Sequence, residues 1–418
     1  MFRYIFSIPW PLCAGLSLIL SLVPNLAQAA SPESPRLGQL FEAAWARQPE
    51  ARSLSARQES ANAQREFADG WLAGPPALEF SSKGDQLNGN GGTREHVAGV
   101  SAPIWLPGER SGTGAVADAQ RQAVQSRLLA AQLRTAGLLR ADYWQWQRAL
   151  LEVQLAAERV KKARQLASDV ARRVRVGDLS RLDQHQAEAL AVQAELDQQT
   201  AKTQLLAATQ QLRSLTGRLL EPPARPELSG EPLPPDFNLQ EGRHPTLQTL
   251  ADQAHVARTN AALAQIQTRD NPELSLSTMR ERDDRSEHYE GSLTVGIRIP
   301  LGSSSRNRAR QASAQADAIE ADTQLELARE QAAAAREAAV QRFESARQQQ
   351  QLATQRNQLV QESLGFIEKS FRLGETDLPN RLRAEREAIE AQQQAALAKL
   401  ELAAATSGLR QALGLLPE

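Results

Sequence analysis

The sequence repeats itself, and that one feature limits the chain to folds built from two like halves. "RVGDLSRLDQHQAE" (Arg175 to Glu188) returns as "RLGETDLPNRLRAE" (Arg372 to Glu385). The shift is 197 residues and keeps Arg175, Gly177, Ala187 and Glu188 in register with Arg372, Gly374, Ala384 and Glu385. The same shift carries "LTG", ending at Gly217, onto "ALG", ending at Gly414. At a shift of 196, "GPPALEF" (Gly74 to Phe80) meets "DNPELSL" (Asp270 to Leu276), and Arg47-Gln48-Pro49 meets Arg243-His244-Pro245. Separated agreements at nearly one spacing mark a duplication rather than an effect of composition.

Each half reads alike. A helix approaches, over Leu37 to Trp71 and Pro245 to Arg269, and two short strands follow. The strands are expected near 77–83 and 94–103, then near 273–280 and 288–300, the second of each pair ending at Pro103 or Pro300. A very long helix comes next, Thr113 to Val174 and Arg306 to Arg372. A glycine turn at Gly177 or Gly374 leads to a returning helix, Leu182 to Leu215 and Leu378 to Leu413. A helix of roughly 60 residues is about 90 Å long, and approaching and returning helices of about 35 residues each match it end to end. Each half therefore packs as one long rod against two stacked shorter ones. Between the repeats, 30–217 and 244–418, the segment 218–243 contains "EPPARPELSGEPLPPDF", whose prolines cannot continue a helix and mark a linker.

The strands have two faces. In "HYEGSLTVGIRIPLG" (His288 to Gly302), Tyr289, Gly291, Leu293, Val295, Ile297 and Ile299 alternate with His288, Glu290, Ser292, Thr294 and Arg298. Leu78 and Phe80 likewise oppose Glu79 and Ser81, and Leu274 and Leu276 oppose Glu273 and Ser275. Only 4% of residues are aromatic, so the neighbouring helices lack the bulk to cover such a face. Strands of this length match a tilted membrane-crossing strand of about 9–11 residues. Lipid tolerates no open sheet edge, so several copies are expected to pool their strands into one closed barrel. The apolar face then meets lipid, and Glu79, Glu273, Thr294 and Arg298 face the lumen. Trp71 and Trp105 flank the first strand pair on its helix side, where indole favours the membrane interface, though a place in the core would also explain them. Pro75, Pro76, Pro103, Pro107, Pro272 and Pro300 gather at the helix–strand joints, where a residue without a donor suits the change of regime.

Residues 1–29 read as a cleaved export signal: Arg3, an apolar run from Ile5 to Leu26, and Ala27-Gln28-Ala29. Cys13 is the sole cysteine; it follows Trp10-Pro11-Leu12 rather than a small residue, so no lipid attachment is expected. A net charge of −1 gives no electrostatic case for nucleic acid.

These residues resemble the TolC family of outer-membrane efflux channels over the whole mature chain. Within it, "NPELSLSTMRERDD" and "LTVGIRIPLGSSSRNRARQASAQA" resemble the CzcC-type branch, the outer-membrane parts of heavy-metal efflux pumps. The resemblance implies a fold that is mainly α with a small β part. It implies a homotrimer whose twelve strands, four per copy, form a shared barrel above a periplasmic α-helical barrel. It further implies that the turns at Gly177 and Gly374, with Arg175 and Arg372, dock a periplasmic adaptor bound to an inner-membrane RND pump. The channel itself does no chemistry and needs no cofactor. Family gates use acidic residues after the second turn; here the matching positions are Asn380 and Arg383, which puts an acidic gate in doubt. Asp183 stands at the first-half position equivalent to Asn380. The candidate gate and tip charges are therefore Asp178, Asp183, Glu375, Asp377 and Arg383, amid Arg173, Arg181 and Arg381, with ordinary solvated charges as the alternative.

No chemistry-bearing constellation stands out. His96, His185, His244, His255 and His288 lack metal-ligand spacing; His96 and His288 lie near the strands, where ordinary surface histidines explain them better than a place in the lumen. "GERSGTG" (Gly108 to Gly114) lacks the lysine of a phosphate loop. A channel for organic drugs or for type I secretion stays open, as does a periplasmic adaptor or coiled-coil scaffold. That scaffold would not need four two-faced strands. An envelope hydrolase finds almost no support.

Overall fold

The computed structural model describes residues 37–87, 89–220, 230–238, 241–302 and 304–418. The expected export signal and part of the linker lie outside them. The first repeat runs α1 (Leu37–Trp45), α2 (Pro49–Asp69), β1 (Ala77–Gly84), β2 (Arg94–Pro103), α3 (Glu109–Arg175) and α4 (Arg181–Thr216). The second runs α5 (Pro245–Ile266), β3 (Glu273–Arg282), β4 (Glu290–Arg298), α6 (Ser304–Arg372) and α7 (Leu378–Ala412). The described residues are thus mainly helical, with four strands, and the halves share the order helix, strand, strand, long helix, returning helix, α1 being extra in the first. Among the described residues, no helix is long and apolar enough to cross a membrane.

Several boundaries depart from expectation. The approaching helix is broken in two, because Pro49 has no N–H to continue α1 and instead opens α2. The long helices reach 67 and 69 residues. α3 begins at Glu109 rather than Thr113, and the Glu109 carboxylate ties this start to the preceding segment by accepting the Leu106 N–H at 3.0 Å. β4 is shorter than the alternation suggested, covering Glu290–Arg298.

The rods pack in the expected way. α3 lies against α2 and α4, and α6 against α5 and α7. α3 also packs on α5 and α7, which joins the repeats and sets the ranks α2/α4, α3, α5/α7, α6. The stacked helices meet at glycines. A side chain at Gly414 would come within 2.9 Å of His244, and one at Gly217 within 2.5 Å of Arg47. The recurring glycines therefore meet the recurring tripeptide in both halves, though at different residues of it.

The core is thickest midway along α3. Leu139, Tyr143, Trp146 and Leu150 recur every three or four residues, so one face of α3 meets Leu40, Leu212 and Leu400. Trp146 is wholly buried and donates to Thr209 Oγ1 at 3.1 Å. The linker is pinned here too. Glu231 stands 2.7 Å from Arg140 and 3.3 Å from Arg410, all three buried.

Candidate functional site: a two-faced sheet and a paired-turn tip

The strands form one antiparallel sheet in chain order, β1-β2-β3-β4. Its register aligns side chains in rows. Leu78, Val100, Leu276 and Val295 form one row, and Phe80, Ala98, Thr278 and Leu293 the next. Ala102, Leu274 and Ile297 extend the same face. No helix covers it: Leu78 is 90% exposed and Leu293 72%. Burying a large apolar side chain gains about 1.5–3 kcal/mol, so Leu78, Phe80, Leu293, Val295 and Ile297 together forgo on the order of 10 kcal/mol. That equals the whole stability of an ordinary domain, about 5–15 kcal/mol. Such a face calls for an apolar partner outside the monomer.

The other face is polar. Glu79, Gly99, Ser277 and Thr294 share a row, and Glu273 pairs with Arg298 across β3 and β4. All four residues expected at the lumen therefore share one face, and Arg298 lies 3.7 Å from Glu273. His96 does not join them. It sits in the row of Ser82, Arg280 and Gly291, on the apolar side of the sheet, with its Nδ1 3.0 Å from Ser82 Oγ. Period-two parity, counted along β2 from Ala98, would have found this.

The helix-side end of the sheet is fastened across the repeats. Buried Glu109 accepts from Gln267 at 2.8 Å and Asn271 at 2.6 Å. Trp105 donates its indole N–H to Gly70 O at 3.1 Å and packs edge-on to Phe67. Trp71, beside it, is 91% exposed. The two tryptophans thus share the junction, but only Trp105 has a place within the monomer. At the far end the hairpin loops clasp one another: Arg285 donates to Asn90 O at 2.9 Å and Thr93 Oγ1 to Asp283 O at 3.1 Å.

The other end of α3 carries the turns. Gly177 and Gly374 adopt φ of +82° and +79°, conformations that favour glycine, and nothing lies within 4 Å of where a side chain would begin. Arg175 and Arg372 are exposed beside them. Asp178 N and Glu375 N each close the preceding helix, on Arg173 O at 2.9 Å and Ser370 O at 3.0 Å.

The acidic residues have local work. Asp183 completes a capping box with Ser180 at the start of α4. Asp377 accepts the Asn380 N–H at 3.1 Å at the start of α7. Glu375 accepts from Ser370 Oγ at 3.1 Å, and Asp178 lies 3.6 Å from Arg173. Arg383 is exposed.

The turns of the two repeats are packed together. Leu166, Val170, Ala187, Phe371 and Leu378 make one buried cluster drawn from α3, α4, α6 and α7. Phe371 lies between two guanidiniums, Arg173 at 4.5 Å and Arg381 at 4.8 Å from its ring centre. Below it a polar recess of about 470 Å³ is lined by Lys162, Asp169, Arg172, Glu368, Arg381 and Glu385. Burial pushes the Glu385 carboxyl above its usual range, aided by Glu368 and opposed by Arg381 and Lys162.

An uncovered apolar sheet face thus stands near one end of α3 and a tip of paired turns at the other. The family profile described as outer membrane efflux protein matches residues 40–218 and again 239–415. The chain belongs to this family. Among curated proteins, this efflux protein is 29% identical over 227 residues to the cobalt-zinc-cadmium resistance protein CzcC of Cupriavidus metallidurans, a match spanning 52% of each chain. The alignment thus covers about half the length of that relative. Among solved structures it resembles the outer membrane protein VceC of Vibrio cholerae, with a TM-score of 0.73 and 17% identity over 91% of this chain and 97% of that one. It also resembles the MtrE outer membrane channel of Neisseria gonorrhoeae, with a TM-score of 0.71 and 19% identity over 91% of this chain and 89% of that one. These likenesses bear on the fold. Family and neighbours are channel proteins, not enzymes.

Proposed function

We propose that this efflux protein is the outer-membrane conduit of a tripartite heavy-metal efflux system, passing cations such as cobalt, zinc, cadmium or copper from an inner-membrane RND pump. The uncovered apolar face of the sheet carries the reading. It needs lipid on one side, and the open edges of β1 and β4 need strands from other copies. Three copies supply a closed twelve-strand barrel with Glu79, Glu273, Thr294 and Arg298 inside. Trp71 and Trp105 then sit at the periplasmic membrane interface. The chain reaches the outer membrane by a signal over 1–29, without lipidation, and its repeats span 30–217 and 244–418 around a linker at 218–243.

The turns at Gly177 and Gly374, with Arg175 and Arg372, dock the hairpin tips of a periplasmic adaptor. The channel supplies the path and the pump supplies the energy. Metal cargo is favoured over organic drugs or secreted protein by the 29% identity to CzcC. The test is a tolerance panel in a deletion strain, with zinc, cobalt, cadmium, nickel and copper beside organic drugs and dyes. Metal-selective sensitivity, reversed by the intact gene, is expected. Sensitivity to organics alone would move the channel to drug efflux.

A further inference from the structure

At the loop end of the sheet, charge is sorted by face. The row Lys83, Glu95, Glu281, Glu290 lies on the polar side and carries three carboxylates. On the apolar side, the rows beyond Phe80 and Leu293 carry His96 and Arg280, then Arg94 and Arg282. No carboxylate falls in these two rows. Loop charges meant only for water would be mixed on both faces. Arg94 is satisfied within the chain by Asp85 at 2.9 Å. Arg280 and Arg282 pair with no carboxylate among the described residues. Both stand over the Tyr289 ring, at 5.6 and 5.0 Å, so one aromatic holds the two guanidiniums side by side. Arg282 donates one N–H to Gly92 O at 3.2 Å. Arg280 and Tyr289 are exposed.

The apolar band from Ile299 to Leu293 spans about 20 Å at 3.4 Å per residue, and the arginines stand just past its far end. Guanidiniums at that height meet head groups rather than acyl chains, and they bind phosphate through paired N–H donors. We propose that Arg280 and Arg282, held by Tyr289, form an external site for the phosphates of an outer-leaflet glycolipid of the lipid A class. The proposal rests on the reading that the apolar face meets lipid. It adds that the channel selects its boundary lipid by charge.

The test uses the full mature channel in detergent, titrated with bis-phosphorylated lipid A and followed by native mass measurement. Retained lipid A is expected, with dephosphorylated lipid A of the same acyl chains binding at least about tenfold more weakly. Arg280→Gln with Arg282→Gln should lose that preference. Arg280→Lys with Arg282→Lys should keep part of it, and Glu281→Gln, on the other face, all of it. Equal binding of the two lipids, or an unchanged preference in the double glutamine variant, overturns the site. A nitroxide at Leu293→Cys, the one thiol beyond the leader, checks the underlying reading in bilayers. Oxygen access with exclusion of a nickel chelate supports the lipid-facing sheet whatever the phosphate result. The reverse access would refute both.

Discussion

The Arg173 guanidinium lies 4.5 Å from the centre of the Phe371 ring, and this contact joins the end of α3 to the end of α6. Arg381 closes the other side at 4.8 Å. Phe371 is 3% exposed, so the clasp is a packed joint rather than a surface encounter. A buried phenylalanine cut to alanine costs about 3–5 kcal/mol, while each cation–ring contact adds about 0.5–2 kcal/mol. Phe371→Ala is expected to open the tip, raising single-channel conductance in planar bilayers. Phe371→Leu, which keeps most of the packing, should give an intermediate value. Conductance unchanged in both variants would remove the clasp from any part in holding the tip.

Glu231 sits between Arg140 and Arg410, at 2.7 and 3.3 Å. Removing the Glu231 carboxylate leaves buried Arg140 without an acidic partner, while Arg410 keeps Glu418 at 2.6 Å, a loss of about 3–5 kcal/mol. Glu231→Ala is therefore expected to lower the melting temperature sharply, more than Glu231→Gln, which retains hydrogen-bonding capacity. Scanning calorimetry of the solubilised channel would decide it. A melting temperature within error of the parent would mean that the linker contributes nothing to the core midway along α3.

Burial holds the Glu385 carboxyl above its ordinary value of 4.5, with Glu368 adding to the rise and Arg381 and Lys162 opposing it. Between 4.5 and the raised value, the folded tip binds a proton that the unfolded chain has released. Stability therefore falls as pH climbs through that interval, and the penalty is fully present above it. Asp169 and Arg172 line the same recess and face the same group. Acidification toward 4.5 should slow amide exchange in the first turns of α7, after correction for intrinsic rates. Glu385→Gln should be slow already at neutral pH and insensitive to acid. An acid response that survives the substitution would assign it to another group.

Much of this architecture was legible because it is periodic. A repeat of 197 residues located both turns, and a repeat of two sorted Leu293 from Thr294. What stayed hidden breaks the duplication. Phe371 has Val174 at its first-half position, Arg173 has Ser370, and Arg381 has Gln184, so neither half advertises the clasp. Glu231 lies in a proline-rich linker, where composition says only that a helix ends. A lumenal place for His96, the less favoured sequence reading, does not hold, because the register puts it in the row of Ser82, on the face of Phe80. The start of α3 was missed because the contacts that hold it run from the Glu109 carboxylate to Leu106, Gln267 and Asn271, all outside the helix.

α6 is the last rank of the helical layer, packed on α5 and α7 alone of the long elements. Leu352, Leu359 and Phe366 recur every seventh residue on it and are 65%, 58% and 69% exposed. An uncovered heptad stripe is a seam for another helix. Val192, Leu196 and Leu206 on α4, at the opposite edge, are also exposed. Leu359→Asp should dissociate the proposed trimer in detergent while leaving helical circular dichroism unchanged. A trimer of unaltered mass would place the seam elsewhere.

Gly374 offers the sharpest test of the docking tip. Its φ of +79° strains any other residue by about 1–2 kcal/mol, but the space around it is open. Gly374→Ala should therefore fold, assemble and transport nearly as the parent does. Gly374→Trp bears the same backbone strain and differs in projecting an indole into the surface where an adaptor hairpin would sit. It should assemble normally and fail to restore metal tolerance. Second-site changes in the adaptor tip that restore tolerance would tie the defect to contact. Full tolerance with Gly374→Trp would show that the adaptor docks away from this turn.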